Sequence, residues 1–286
     1  MKFLSTLFLL GLLLTGCNSQ AMLVEKQAFE IASFNTENGA LISPVRVGWE
    51  AYGKLNADKS NVVLITHFFS GSSHAAGKYS ESDAAAGYWD ATGKPYGLTF
   101  PVVTIGDFVE VQKALLDSLG IDKLHAVVGG SMGSFQAIEW ATRYPDRVAR
   151  LIPVIGTAYI DAWAAVRLER WAYPIKQDPA WRGGNYYQHG QPEHGLTTAL
   201  AYIIQDAVYP TGFNMRYPAP ETDKAPHLDI LASFSAWDQL MAHAKIRAKM
   251  QDANHILYLV RASQLYRAGM GDNWQQALGR VKFGAI

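Results

Sequence analysis

The chain has 286 residues, and its 25 lysines and arginines balance 25 aspartates and glutamates. With no net charge and no basic stripe there is nothing for nucleic acid to grip, and that class of partner is excluded. With 49% apolar residues, the length suits one large domain, or a core carrying a cap, around a sizeable interior.

The first elements are targeting signals. Lys2 precedes an apolar run over residues 3–14 that is too short to span a bilayer comfortably. Leu14-Thr15-Gly16-Cys17 then resembles the lipobox of a bacterial lipoprotein signal. Cys17 is the only cysteine, so no intramolecular disulfide can form. A lone thiol at this position is best explained as the acylated first residue of the mature protein; the alternative is an unused thiol. Residues 1–16 are expected to be a signal peptide and 17–24 a tether. Asn18, where an Asp would resemble an inner-membrane retention signal, favours the outer membrane. The expectation is a cell-envelope lipoprotein held to its membrane by an N-terminal lipid anchor.

Beyond the tether, residues 26–34 and 44–52 read as an antiparallel pair of strands. Val45, Val47, Trp49 and Ala51 alternate as on a half-buried strand. Residues 61–66, Asn-Val-Val-Leu-Ile-Thr, form a continuous apolar run that predicts a central strand covered on both faces. Residues 71–90 are loop-like. Thr104-Ile-Gly-Asp107 resembles a capping box that opens a helix with Ile105, Phe108, Val109, Leu115, Leu116 and Leu119 on its apolar side, closed by Gly120. A strand over 124–128, a helix from Ser131 to Tyr144 stopped by Pro145, and a strand over 149–155 follow.

From about residue 158 the character changes to helical, aromatic-rich segments broken by Pro174, Pro179, Pro192, Pro210, Pro218, Pro220 and Pro226. The organisation expected is an α/β core over 25–157, a helical cap over 158–279, and the start of a core strand over 280–286. No internal repeat, heptad run or metal-ligand spacing occurs, and no metal or cofactor is expected.

Chemistry concentrates at Gly129-Gly130-Ser131-Met132-Gly133. Gly-x-Ser-x-Gly between a strand and a helix is the nucleophile elbow of an α/β-hydrolase in its required context. Ser131 must sit at the tip of a strained turn. Gly129 and Gly133, without Cβ, let strand and helix approach. The Met132 N–H is then placed to hold a developing oxyanion.

The chain as a whole resembles the homoserine O-acetyltransferase family of the α/β-hydrolase fold, especially its exported, esterase-like members. The matching stretches are residues 47–56, Thr66-His67-Phe68-Phe69-Ser70-Gly71-Ser72-Ser73-His74, residues 87–107, residues 129–140 and residues 178–187. They cover most of residues 25–190 in order. The resemblance implies a mostly parallel sheet with an inserted helical cap and Ser131 as the nucleophile. It also implies a second oxyanion N–H near Phe69, and two-step acyl transfer from a small-molecule ester or acyl donor to a hydroxyl or to water.

Three departures shape the expectation. Trp89-Asp90 runs directly into Ala91, where the family has a few dozen residues including a central strand, so the sheet is expected to be incomplete. The family's triad acid and histidine follow the cap, beyond the point where this chain stops, so the chain is expected to be truncated and catalytically poor. Ala172 stands where the acetyltransferases carry a carboxylate-gripping Arg, with Arg167 and Arg170 as nearby substitutes. Among the other histidines, His243 and His255 read as packing or surface groups. His189, His194 and His227 are weak candidates for the base, and His125 reads as a core or sheet-edge residue. His67 and His74 precede the nucleophile, and His67, which matches a family position next to the oxyanion loop, is expected to orient that loop. The leading expectation is an exported serine esterase or acyltransferase. Its rivals are a biosynthetic homoserine acetyltransferase, disfavoured by export and Ala172, and an inactive surface lipoprotein or gene fragment that retains the fold.

Overall fold

The computed structural model describes residues 24–71, 96–218, 229–269 and 273–281. Cys17, His74, the junction at residues 89–91, His227 and residues 282–286 lie outside the described residues.

Strands β1 (Gln27–Ile31) and β4 (Val45–Trp49) pair antiparallel, Gln27 opposite Trp49 and Ile31 opposite Val45. Between them β2 (Phe34–Asn35) and β3 (Leu41–Ile42) make a small hairpin that the sequence pattern did not reveal. A separate parallel sheet has the order β5-β6-β7, from β5 (Val63–Thr66), β6 (Ala126–Gly130) and β7 (Leu151–Val154).

Helix α1 (Ile105–Ser118) starts with both bonds of its capping box, Thr104 Oγ1 to the Asp107 N–H and the Asp107 carboxylate to the Thr104 N–H. Gly120 ends it at a positive φ of 63°, which a residue with a Cβ adopts only under strain. Helix α2 (Met132–Arg143) packs between α1 and the sheet and is buried along most of its length. From residue 162 onward the described regular elements are helical: α3 (Ala162–Gln177), α4 (Glu193–Asp206), α5 (Pro210–Arg216), α6 (Ser235–Ala248), α7 (Ala253–Gln264) and α8 (Trp274–Gly279). Pro174 does not break α3 as the sequence suggested. It sits in the last turn, and the helix continues to Gln177. One apolar cluster joins Val127 and Trp140 to Leu200, Ile256 and Tyr266, so sheet and helices share a core.

The expectation for β5 is corrected. Its only ladder partner among the described residues is β6, and Val63 and Ile65 are 45% and 58% exposed. Among the described residues it lies at the edge of the sheet. The outer edge of β5 and the free edge of β4 both border one cavity of about 1040 Å³, floored by Phe108, Val111 and Leu115 of α1. No described strand occupies the space beside them, and the junction at which a strand was expected to be missing lies outside the described residues.

Candidate active site

Ser131 joins β6 to α2 with φ 54° and ψ −121°, a conformation that L-residues adopt only under strain. Two glycines make room for it. A Cβ on Gly129 would collide with the Gly133 carbonyl, and one on Gly133 would lie 2.5 Å from the Thr66 carbonyl oxygen. The backbone holds the turn from both sides. The Ser131 N–H donates to the Val154 carbonyl at 2.9 Å, and the Ser131 carbonyl accepts from Ser134 N and Oγ at 2.8 and 2.5 Å. The Ser131 residue is exposed, and its Oγ has no hydrogen-bond partner among the described residues. Met132, the first residue of α2, has no intrahelical acceptor for its N–H, and the helix dipole adds positive potential there.

The loop after β5 lies against this elbow. Thr66 Oγ1 sits 2.7 Å from the Gly133 carbonyl oxygen and 3.1 Å from that of Val128, fastening the end of β5 to the turn. The His67 carbonyl accepts from Gln136 Nε2 at 3.1 Å. Gln136 Oε1 accepts from Gln112, whose own oxygen accepts from Trp140 Nε1. This buried relay ties the loop to α1 and α2. Phe69 follows, buried, with its ring edge-on to Trp171 at 5.0 Å. Ser70, also buried, has φ 56°, and the Gly71 N–H closes the turn on the Phe68 carbonyl at 2.8 Å. Thr66, Gln136 and Trp171 escaped the sequence reading. The one signal was Gln136, a polar side chain on the buried face of a helix.

The histidines divide. Burial lowers the His67 pKa, an effect partly offset by its contact with the Phe68 carbonyl. Burial pushes His255 down to about 4, against the pull of Asp252, and the neighbouring His67 lowers it further. Both rings line the cavity beside β5, which Ser131 does not border. His243 Nδ1 is 2.5 Å from Tyr217 Oη. Its pKa is lowered by burial, then by Arg247 and Arg216. His125 contacts Arg150, and His189 and His194 are exposed. None of these rings hydrogen-bonds Ser131 Oγ. The suggested stand-ins for a carboxylate-gripping Arg are also engaged: Arg167 and Arg170 both bind the Asp206 carboxylate, at 2.9 and 2.7 Å. Ala172 is buried.

Residues 49–276 match the alpha/beta hydrolase fold family. The homoserine O-acetyltransferase of Geotalea daltonii is 33% identical over 288 residues, covering 86% of this chain and 77% of that protein. The enzyme of the same name from Solidesulfovibrio magneticus is 35% identical, covering 85% and 72%. Among solved structures, esterase E22 aligns with a TM-score of 0.83 at 48% identity, over 91% of this chain and 83% of that one. Homoserine O-acetyltransferase from Bacillus anthracis aligns equally well, TM-score 0.83, at 30% identity over 91% and 81%.

Proposed function

The chain belongs to the homoserine O-acetyltransferase family of the alpha/beta hydrolase fold, and from that premise we propose that Ser131 takes an acyl group from a small ester and passes it to water or a hydroxyl. The observation that carries this reading is the exposed Ser131 hydroxyl, without a hydrogen-bond partner among the described residues, at a positive-φ elbow. Attack by Oγ on the acyl carbon gives a tetrahedral oxyanion, which the N–H groups of Met132 and Phe69 hold. Collapse breaks the ester C–O bond: the alcohol leaves, taking up the proton lost from Oγ, and an acyl-serine remains. Water or a hydroxyl then adds to that acyl carbon through a second oxyanion, the Ser131 Oγ–C bond breaks, and Oγ recovers a proton as the acid or new ester departs. The proton leaving Oγ needs a base, without which a serine hydroxyl is a poor nucleophile at neutral pH.

Ester hydrolysis is favoured over transfer to a homoserine held by an arginine at or near position 172. Position 172 holds a buried alanine, and the two arginines nearest to it are committed to Asp206. The relatives named for esterase and acetyltransferase activity support acyl chemistry, and nothing among them supports an inert fold.

We place the protein in the cell envelope, anchored through acylated Cys17. The support is the lipobox sequence alone, and Cys17→Ser tests it: the variant should lose palmitate incorporation and leave the membrane fraction. Unchanged fractionation and labelling would refute the anchor. For the site itself, a fluorophosphonate probe should label the protein at Ser131, with labelling and p-nitrophenyl acetate hydrolysis both lost in Ser131→Ala. Labelling that persists in the variant would remove Ser131 from the mechanism.

A further inference from the structure

Arg247 on α6 is half-buried, and its guanidinium reaches the loop beside the elbow, with Nη2 3.5 Å from Ser70 Oγ. That distance is at the limit of a hydrogen bond, so the contact satisfies little of the guanidinium. Arg143, Arg147, Arg167 and Arg170 each hold a carboxylate. Arg247 holds none among the described residues. Arg216 lies close enough to act on the same His243, and it too has no acidic partner among the described residues. A partly desolvated guanidinium without a carboxylate is stabilised when an anion arrives.

Ser70 makes the second half of the arrangement. It is buried, its backbone is held in the left-handed region, and its Oγ accepts from Arg247 while its own O–H has no acceptor among the described residues. Arg247 and Ser70 therefore offer a planar, charged donor and a neutral donor at one place. That place adjoins Phe69, the proposed oxyanion donor. We infer that Arg247 and Ser70 form a subsite for a carboxylate carried by the ester substrate. The planar fork of Arg suits a carboxylate, which it can bind through two parallel bonds. The inference rests on Ser131 being the nucleophile, because it makes the anion part of the substrate and not a separate ligand.

Binding measured without turnover separates the two claims. In a Ser131→Ala background, calorimetry would compare monomethyl glutarate, with its carboxylate on the acyl side, and acetoxyacetate, with its carboxylate on the alcohol side. Neutral dimethyl glutarate is the reference. At least one anion should bind about tenfold or more tighter than the neutral diester, and which one does so assigns the side of the ester. Adding Arg247→Gln should erase that preference, and Arg247→Lys should keep part of it, since it restores charge without the fork. Equal binding of anions and diester, or a preference that survives Arg247→Gln in a protein with an unchanged circular dichroism spectrum, would overturn the inference. Failure of the Ser131 reading would appear elsewhere, as fluorophosphonate labelling that ignores Ser131.

Discussion

Asp206 holds Trp171 in place: Trp171 Nε1 donates to Asp206 Oδ2 at 2.8 Å, and the same indole meets Phe69 edge-on. The carboxylate also binds Arg167 and Arg170, which together with Trp171 keep its pKa below the ordinary value despite burial. A three-donor carboxylate on α4 thus sets, through one ring on α3, the position of the proposed oxyanion loop.

Asp206→Leu should therefore slow Ser131 acylation without removing the serine. The two arginine side chains are nearly half exposed, so their ion pairs contribute little to stability. The bond to the indole is worth about 1.5–3 kcal/mol as a hydrogen bond to a charged group. We expect a lower kcat on p-nitrophenyl acetate with KM nearly unchanged, and partial rescue in Asp206→Asn, whose oxygen still accepts from Trp171. A purely structural role would lower the melting temperature and leave the rate per folded molecule unchanged.

Two glycines of the elbow should respond oppositely to alanine. At Gly129 the new Cβ meets the Gly133 carbonyl and Thr66 Oγ1, groups fixed by backbone and by the Thr66 bonds. At Gly130 it meets nothing within 4 Å. Gly129→Ala is expected to cost at least about 2 kcal/mol and to abolish probe labelling, the usual outcome of forcing atoms into a filled space. Gly130→Ala should stay within about 0.5–1 kcal/mol of the parent. Urea denaturation of the two variants side by side decides it.

The elbow was legible in sequence because its requirements fall on five consecutive residues, 129–133, and each follows from local geometry. The capping box of α1 was legible for the same reason. β5 misled because an apolar run looks the same whether its neighbours are present or missing, and periodicity cannot report a partner strand. Arg247 and Ser70 lie 177 positions apart, and Trp171 and Asp206 lie 35 apart. No local pattern links such pairs; only the packing of the helices around the core brings them together. Arg167 and Arg170 looked available in sequence because a carboxylate partner on another helix leaves no mark near them.

Stability should fall in mild acid through His255. Its folded pKa is about 4, against 6.5 unperturbed, so between those values the folded state binds fewer protons than the unfolded chain. The contribution is fully present above pH 6.5 and is lost as pH falls toward 4. A shift of this size corresponds to roughly 3 kcal/mol. His67, lowered by the same burial, acts in the same direction. Denaturation midpoints at pH 7 and pH 5 should differ clearly in the parent and less in His255→Gln. An identical acid slope in the variant would exclude His255 as its source.

The β5 edge, unpaired among the described residues, predicts self-association. Its outward backbone groups have no strand partner among the described residues, and Ile65 and Val63 place exposed apolar surface on the same strand. An apolar strand edge of this kind is a template for another chain, and natural proteins blunt such edges with charge. Across the cavity, β4 has a second edge without a strand partner among the described residues. Ile65→Lys adds a charge to β5 and leaves its ladder with β6, which is made by the backbone, intact. Because Ile65 is mostly exposed, the substitution removes little buried surface, and the melting temperature should move little. Light scattering at rising protein concentration should show less association for Ile65→Lys than for the parent. Equal scattering would mean that the β5 edge does not serve as the contact.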